Sequence, residues 1–248
     1  TNAHEVVRGN MPDMSHNDVS SDFFLLRENA PYNASKKIVD LVTRRLPISY
    51  GYDVLTDIQV LCPSRKGDVG TENLNFLLQQ KLNPASREKS EIKHNGYVLR
   101  EGDKVMQIKN NYDVPWFKAG ENGTGVFNGD IGILINIDKA NDILNVKFDD
   151  REAMYSLEHA KQLELAYAMT VHKSQGSEFD AVVMPVLAVP QKLSYRNLFY
   201  TALTRAKNLI VLVGNENSVQ AMVENDKETR RYSALGYFLT VDNNPFLE

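Results

Sequence analysis

Residues 181–214 read AVVMPVLAVPQKLSYRNLFYTALTRAKNLIVLVG, and this stretch decides the fold. It begins with one short apolar run, AVVMPV, and ends with another, NLIVLVG. Between them Leu198, Phe199 and Ala202 share one face of a predicted helix. Ser194 is its predicted N-cap. Two apolar strands joined by a helix are typical of a parallel crossover. The stretch therefore predicts an α/β domain with a parallel sheet.

A second strand–helix unit lies earlier in the chain. IQVLCP, residues 58–63, is predicted as a buried strand, and Thr71 is predicted to cap the helix TENLNFLLQQKL. The loop between them, SRKGDVG, would lie at the edge where the parallel strands end, which is where α/β sheets bind ligands. A further helix is predicted to begin with Ser35 as its cap and to stop at Pro47.

The pattern changes to a period of two after about residue 100. DIGILINI and ILNVKFD alternate apolar and polar residues on either side of the turn DKAND, which predicts an antiparallel hairpin. Asp103 and Asp130 are interpreted as turn formers and not as catalytic acids. We expect residues 109–160 to form a small β module inserted into an α/β domain made of residues 1–108 and 161–248.

The composition limits the possible functions. The 28 Lys and Arg against 32 Asp and Glu give a net charge of -4, so a site for a polyanion must be a local patch. The single cysteine, Cys62, excludes an internal disulfide and suits a cytoplasmic protein. No run is long enough to span a bilayer. The first residue is not Met and no signal peptide is evident, which suggests a fragment of a longer, cytoplasmic chain.

The segment TVHKSQGSEFD, residues 170–180, gathers polar groups directly before an apolar strand. Thr170, His172 and Ser174 supply donors that suit phosphate and sugar oxygens. Gly176 permits a tight backbone turn, and Glu178 suits a ribose hydroxyl. The preceding AYAMT is compatible with a helix turn. The alternative is an ordinary polar loop whose hydroxyls only cap a helix.

Two arginines are also candidates for contacts to phosphate groups. Arg205 lies between a predicted helix and a buried strand, and its permanently charged guanidinium suits the stabilisation of a phosphoryl group. Arg65 follows an earlier strand, and we expect both arginines at neighbouring strand edges. Alternatively, Arg205 only offsets the dipole at a helix C-terminus. The phosphate-binding pattern GxxxxGK[ST] is absent from the 248 residues. No carboxylate cluster has metal-ligand spacing, so no metal site is expected on this chain.

Together these stretches resemble one family. AYAMTVHKSQGSEFDAVVMPV resembles motif V and LFYTALTRAKNLIVLVG resembles motif VI of superfamily 1 helicases of the RecD type. QVLCPSRKGDVGTENLNFLLQQKLNP is similar to their motif IV region. REGDKVMQIKNNYD and VFNGDIGILINID are similar to the segment that leads into their inserted barrel, and the opening NAH…G resembles residues after motif III.

The resemblance implies the second of two RecA-like motor domains, with a RecA-like parallel sheet and an inserted small SH3-like β-barrel. It implies an ATP-dependent 5′ to 3′ DNA helicase active in recombination and repair, like the alpha chain of exodeoxyribonuclease V. Arg205 and Arg65 resemble the arginines that act on the γ-phosphate. Gly176 and Glu178 resemble nucleotide contacts.

Further site residues and partners follow from the same resemblance. The residues Thr170, His172 and Ser174 resemble contacts to the DNA backbone. ATP, Mg²⁺, single-stranded DNA or duplex ends, a missing N-terminal RecA-like domain and nuclease subunits of a recombination complex are the implied partners. Because the Walker motifs are missing, we expect the chain alone to hydrolyse no ATP. The alternative is a DNA-binding or subunit-docking domain of such a complex that drives no motor.

Overall fold

The computed structural model describes residues 2–14, 21–94 and 96–226. The strands along the chain are β1 (Phe23–Arg27), β2 (Ile58–Cys62), β3 (Glu91–His94), β4 (Tyr97–Arg100), β5 (Lys104–Gln107), β6 (Asn111–Lys118), β7 (Glu121–Val126), β8 (Ile131–Asp138), β9 (Ile143–Phe148), β10 (Arg151–Ser156), β11 (Leu163–Leu165), β12 (Ala168–Thr170), β13 (Phe179–Val186) and β14 (Ala206–Gly214). The α-helices are α1 (Asn2–Val7), α2 (Pro31–Asp40), α3 (Leu46–Tyr50), α4 (Thr71–Leu82), α5 (Arg196–Leu203) and α6 (Glu216–Glu224). A π-helical turn spans Leu41–Arg45, and 3-10 turns span His159–Gln162, Val171–Ser174 and Gln191–Leu193.

The first sheet has five parallel strands in the order β1-β14-β13-β2-β12. All residues of β2 are buried, as are all of β13 except its second residue. This confirms the strands predicted from IQVLCP and AVVMPV, and the predicted strand–helix–strand unit is β13, α5 and β14. Wholly apolar strands fit this position because helices cover both faces of the sheet.

Helices pack on both faces of the parallel sheet. Ala34 and Ile38 of α2 and Leu74 and Leu78 of α4 join one core, and Val6, Phe199 and Val219 represent α1, α5 and α6 in the core on the other face. Within the described ranges no helix is both long and apolar enough to cross a membrane.

The second sheet has seven antiparallel strands in the order β11-β5-β8-β9-β10-β6-β7. The predicted hairpin of residues 130–149 is confirmed, since Ile133 pairs with Lys147 and Asp138 with Ile143. The buried face carries Leu134 and Ile137, whereas Ile135 is exposed, because a register shift in β8 between Leu134 and Asn136 changes the phase of the alternation.

Asp103 connects the two sheets. Its carboxylate is completely buried and accepts hydrogen bonds from Gln79 of α4 at 2.7 Å and from the Tyr167 hydroxyl, next to β12, at 2.9 Å. It also accepts one from the Arg100 backbone at 2.7 Å, which confirms its interpretation as a turn former. Its own carbonyl accepts from the Leu134 backbone of β8 at 2.9 Å. Burial raises the pKa of the Asp103 carboxyl, while these donors oppose the shift.

Three predicted helix caps are wrong. The N-cap of α2 is Ala30, so Ser35 lies inside that helix, and the N-caps of α4 and α5 are Gly70 and Tyr195. At α5 the Arg196 N–H donates to the Asn225 carbonyl at 2.8 Å. At α4 the carbonyls of Ser64 and Arg65 accept from the first helical N–H groups at 3.2 and 3.0 Å.

The predicted helix stop at Pro47 is also wrong. The chain passes from α2 through the π-helical turn into α3, with the Leu46 N–H bonded to the Leu41 carbonyl, and ends at Gly51 in the left-handed conformation. The wider turn shifts the hydrogen-bond pattern just before Pro47, which has no N–H to contribute.

Two strands of the parallel sheet were not predicted. β1, with the sequence FFLLR, pairs with β14 and is an outer strand of the sheet. β12 pairs with β2, so the interpretation of AYAMT as a helix turn is wrong. β12 has three residues, too few to show an apolar pattern, whereas β1 carries the apolar run FFLL, which the sequence analysis missed.

Candidate functional site

The predicted site residues fall on two opposite edges of the parallel sheet. We name the edge where its strands begin the amino edge and the edge where they end the carboxyl edge. Thr170 ends β12 beside Cys62, the last residue of β2, and so lies at the carboxyl edge. Phe179 begins β13 beside Ala206 of β14 and lies at the amino edge. Residues 170–178 therefore connect the two edges.

Arg205 lies at the amino edge, between α5 and β14. Its guanidinium donates to the Ser177 carbonyl at 3.0 Å, to the Thr201 carbonyl at 3.2 Å and to the Thr204 hydroxyl at 3.2 Å. Three of its five N–H groups are thereby used, which leaves two for a ligand. In the part of the chain that the structure describes, no carboxylate lies within ion-pair distance of Arg205. Its charge is thus oriented but not neutralised.

Gly176 and Glu178 lie beside Arg205. Gly176 has a φ of 91°, and a Cβ built there would meet nothing within 4 Å, so the glycine is required by its backbone conformation alone. The Phe179 N–H donates to the Arg205 carbonyl at 2.8 Å, which fixes the end of this segment against the arginine. Glu178 is exposed. The structure thus brings Arg205, Gly176 and Glu178 together.

Lys104 is an amino-edge residue that the sequence reasoning missed. It is buried, and its ammonium donates to the carbonyl of Ile58, the first residue of β2, at 3.1 Å. Burial lowers the pKa of Lys104 to about 8, although Asp53 and Asp57 oppose the shift. Nothing in KVMQIK distinguishes this lysine from a solvated one.

A cleft of about 640 Å³ opens above this lysine. It is lined by Thr56, Ser177 and Glu178, which lie just before strands of the parallel sheet, and by Asp130 and Lys147 of the antiparallel sheet and its turn. Asp130 also closes the turn to Phe127, which confirms it as a turn former. The predicted nucleotide segment therefore faces the antiparallel sheet across an open space.

The carboxyl edge holds the three predicted DNA contacts. Thr170 is partly exposed at the end of β12, and the exposed His172 ring nitrogen is 3.1 Å from the Tyr195 hydroxyl. Ser174 differs, because it has no exposed surface and its hydroxyl donates to the Val171 carbonyl at 2.8 Å. Thr170 and His172 are open to a ligand, whereas the Ser174 side chain closes the 3-10 turn.

Arg65 also lies at the carboxyl edge, three residues after the end of β2. Its guanidinium is 3.7 Å from Glu72 and 3.8 Å from Glu164, and its side chain is 59% exposed. Glu164 also binds the ammonium of Lys173 at 2.6 Å. Arg65 is therefore part of a chain of alternating charges.

The expectation that Arg65 and Arg205 lie at neighbouring strand edges is wrong. β2, β13 and β14 are parallel, and Arg205 directly precedes β14 while Arg65 follows β2. In a parallel sheet these positions are on opposite edges. The sequence alone indicates this difference, because Arg205 precedes its strand and Arg65 follows its strand.

Among residues 2–14, 21–94 and 96–226, no group of three or more His, Cys, Asp or Glu side chains could hold a metal ion. Cys62 is buried, and burial raises the pKa of its thiol, so it is a core residue.

Two family descriptions match the sequence. Residues 74–148 match the SH3 domain of ATP-dependent RecD-like DNA helicases, and residues 165–213 match the UvrD-like helicase C-terminal domain. The first range runs from α4 to β9 and the second from β11 into β14. The chain belongs to the RecD-like helicase family. The predicted fold class, a parallel α/β sheet with an inserted SH3-like β domain, is confirmed.

Curated proteins of this family are similar to the chain in sequence. The ATP-dependent RecD2 DNA helicase of Deinococcus radiodurans is 33% identical over 178 residues, which are 72% of this chain and 23% of that protein. The RecBCD enzyme subunit RecD of Mycolicibacterium smegmatis is 30% identical over 170 residues, 68% of this chain and 27% of that protein. The chain thus spans about a quarter of the length of these relatives.

Solved structures of Pif1 helicases are also similar. Bacteroides Pif1 bound to ssDNA matches with 17% identity and a TM-score of 0.43, over 86% of this chain and 54% of that one. Pif1 from Candida albicans matches with 16% identity and a TM-score of 0.46, over 89% and 53%.

Proposed function

We propose that the chain is the C-terminal motor domain of an ATP-dependent DNA helicase of the RecD family, active in DNA recombination and repair and moving 5′ to 3′. ATP would bind at the amino edge, and single-stranded DNA would cross the carboxyl edge. The relatives named above as helicases and as RecBCD subunits support this assignment.

The proposal depends on one observation, the way in which the guanidinium of Arg205 is hydrogen-bonded. A guanidinium held by three uncharged acceptors keeps its full charge for an incoming anion. When water attacks the γ-phosphorus, negative charge shifts onto the phosphoryl oxygens and the leaving ADP, and a fixed arginine stabilises that charge. Gly176 and Glu178, next to Arg205, would meet the nucleotide, with Glu178 at the ribose.

The DNA side of the proposal uses Thr170 and His172. Both lie at the carboxyl edge with exposed surface, and hydroxyl and imidazole groups suit backbone phosphates. Ser174 would support the 3-10 turn and not contact the strand directly. Because residues 170–178 run from one edge to the other, a shift of this segment on ATP binding would move the DNA contacts.

Other parts of the motor would come from outside this chain. The phosphate-binding loop and the Mg²⁺ ligands would belong to an N-terminal RecA-like domain. We propose residues 1–108 and 161–248 as the second motor domain and 109–160 as its insertion, with β5 and β11, which flank that range, as the junction; residues 227–248 lie outside the described residues. A cytoplasmic location and nuclease partner subunits remain part of the proposal.

Steady-state ATP hydrolysis by the intact helicase tests this function. We expect turnover that rises with single-stranded DNA and none from the 248-residue chain alone. Turnover by the chain alone, or an intact protein indifferent to DNA, would contradict the proposal. The alternative of a non-motor DNA-binding or docking domain predicts DNA binding by the intact protein without any hydrolysis.

A further inference from the structure

We propose that Arg65 and Lys173 form a second phosphate-binding pair for single-stranded DNA at the carboxyl edge, and that Glu164 occupies this pair until DNA displaces it. The inference rests on the proposed function and extends it to residues with a different role from Arg205. It replaces the predicted role of Arg65 at the γ-phosphate.

The first argument is position. Arg65 follows β2 and Lys173 follows β12, and these two strands are neighbours with parallel register from Val60 to Cys62. Both cations therefore lie at the same end of adjacent strands, beside Thr170 and His172. A DNA strand that contacts Thr170 would pass within reach of the long basic side chains of both loops.

The second argument is the way in which the cations are held. The Lys173 ammonium is 2.6 Å from one Glu164 oxygen, while Arg65 is 3.8 Å from the other, too long for a hydrogen bond. Arg65 is 59% exposed, and Glu164 is 25% exposed. A carboxylate between two cations presents the same charge and oxygen acceptors as a phosphate, so it can be exchanged for one.

The third argument is the surface next to the pair. A groove of about 560 Å³ runs along α4 and is lined by Arg65, Phe76, Tyr97 and Glu164. Phe76 is 57% exposed on α4. An exposed ring beside a phosphate-binding cation suits stacking of an unpaired base, which occurs in single strands and not within a duplex.

The loop that carries Arg65 is fixed. The carbonyls of Ser64 and Arg65 bind the first N–H groups of α4 at 3.2 and 3.0 Å, so this helix N-terminus is already occupied and does not bind the phosphate itself. The positive charge at this edge therefore comes from side chains, from Arg65 and Lys173 together with the exposed Lys66 of the same loop.

The test is binding of a fluorescein-labelled oligothymidylate to the 248-residue chain over a range of salt concentrations. Glu164→Gln removes the competing carboxylate, and we expect about two- to five-fold tighter binding. The matched control is Asp40→Asn, which removes one charge from the Asp40–Arg44 pair on α2 and should change binding less. Equal effects of the two substitutions would overturn the inference.

The partner variants sharpen the test. Arg65→Ala should reduce the slope of log affinity against log salt by about 0.7, whereas Arg44→Ala should leave it unchanged. Phe76→Leu should weaken binding about five-fold without changing the slope. In the Glu164→Gln background Arg65→Ala should cost more than in the unaltered chain, because the competitor is gone; equal costs would contradict the exchange.

The two proposals fail differently. If the unaltered chain binds no oligonucleotide, this inference fails together with the DNA contacts proposed at Thr170 and His172, whereas the motor function is tested separately by ATP hydrolysis of the intact helicase. If it binds and the Arg65 and Glu164 variants behave like their α2 controls, only this inference fails. Thermal unfolding of each variant separates loss of binding from loss of fold.

Discussion

The amino edge and the carboxyl edge of the parallel sheet each present an arginine, but the two are held differently. Arg205 is bound by two carbonyls and a hydroxyl, whereas Arg65 faces Glu72 and Glu164. A cation among neutral acceptors offers its whole charge to a ligand, while a cation among carboxylates must exchange one partner for another. This difference fits the two proposed roles. The amino edge would stabilise the charge that develops on the phosphoryl group during hydrolysis, and the carboxyl edge would bind single-stranded DNA and release it at each step.

The largest expected effect separates the two arginines. Arg205→Ala should lower the ATPase turnover of the intact helicase by about 10³-fold, since arginines that reach a transferred phosphoryl group contribute on that scale. Nucleotide binding should be largely kept. Arg65→Ala should change turnover at saturating DNA by less than about three-fold. Single-turnover hydrolysis with measured nucleotide affinity checks both, and equal losses would remove the distinction between the edges.

Lys104 tests the electrostatics of the amino edge. Its pKa of about 8 lies below the ordinary 10.5, so below pH 8 the folded state carries the full cost of a buried charge. Between pH 8 and 10.5 the unfolded chain binds the extra proton, and stability rises with pH. Lys104→Met should therefore be more stable by up to about 3 kcal/mol at pH 7, with an advantage that disappears by pH 10.5.

Urea denaturation of the variant and the unaltered chain at several pH values provides this measurement. Taking the difference between the two removes the contribution of the other titrating groups. A constant difference across the pH range would mean that Lys104 is not a buried charge.

Gly70 tests the carboxyl edge. A Cβ at this position would lie 2.4 Å from the Arg65 carbonyl oxygen and 2.5 Å from that of Lys66. Gly70→Ala should therefore push the loop away from α4 and lower the free energy of unfolding by about 2–3 kcal/mol. Gly67→Ala is the control in the same loop, because only its φ of 93° opposes the substitution and nothing lies within 4 Å. A smaller loss for Gly70→Ala than for Gly67→Ala would show that the loop is not closed on the helix.

The smallest effect concerns the segment between the edges. Gly176→Ala places a side chain at a φ of 91° with no steric contact, so we expect a stability loss of about 1 kcal/mol. Stimulation of ATP hydrolysis by DNA should fall several-fold in the intact helicase, while basal hydrolysis changes less. Unchanged stimulation would mean that residues 170–178 do not couple the two edges.

The central strands and helices were predictable because each repeats one simple pattern. The all-apolar runs at β2, β13 and β14 and the face of α4 with Leu74 and Leu78 needed no tertiary information. The helix caps were not predictable in the same way. Ser35, Thr71 and Ser194 have suitable side chains, but loop carbonyls and neighbouring segments decide where each helix begins.

The sequence indicated which residues form the candidate site, but it did not indicate how they are arranged in space. The segment 170–180 and Arg205 stand out as polar groups at the ends of apolar strands. Arg65 was paired with Arg205 because both are basic residues next to strands, although one precedes its strand and the other follows it. Lys104 and Glu164 left no sequence signal, since their roles depend on contacts between segments far apart in the chain.

Asp103 has a mechanical consequence. A swing of the seven-stranded sheet about its two connections would pull the carboxylate away from Gln79 and Tyr167 together, in a place that water does not reach. Such a joint is stiff. The inserted β domain should then travel as a rigid arm of the parallel sheet, so that a small rotation at the base is magnified at its far tip.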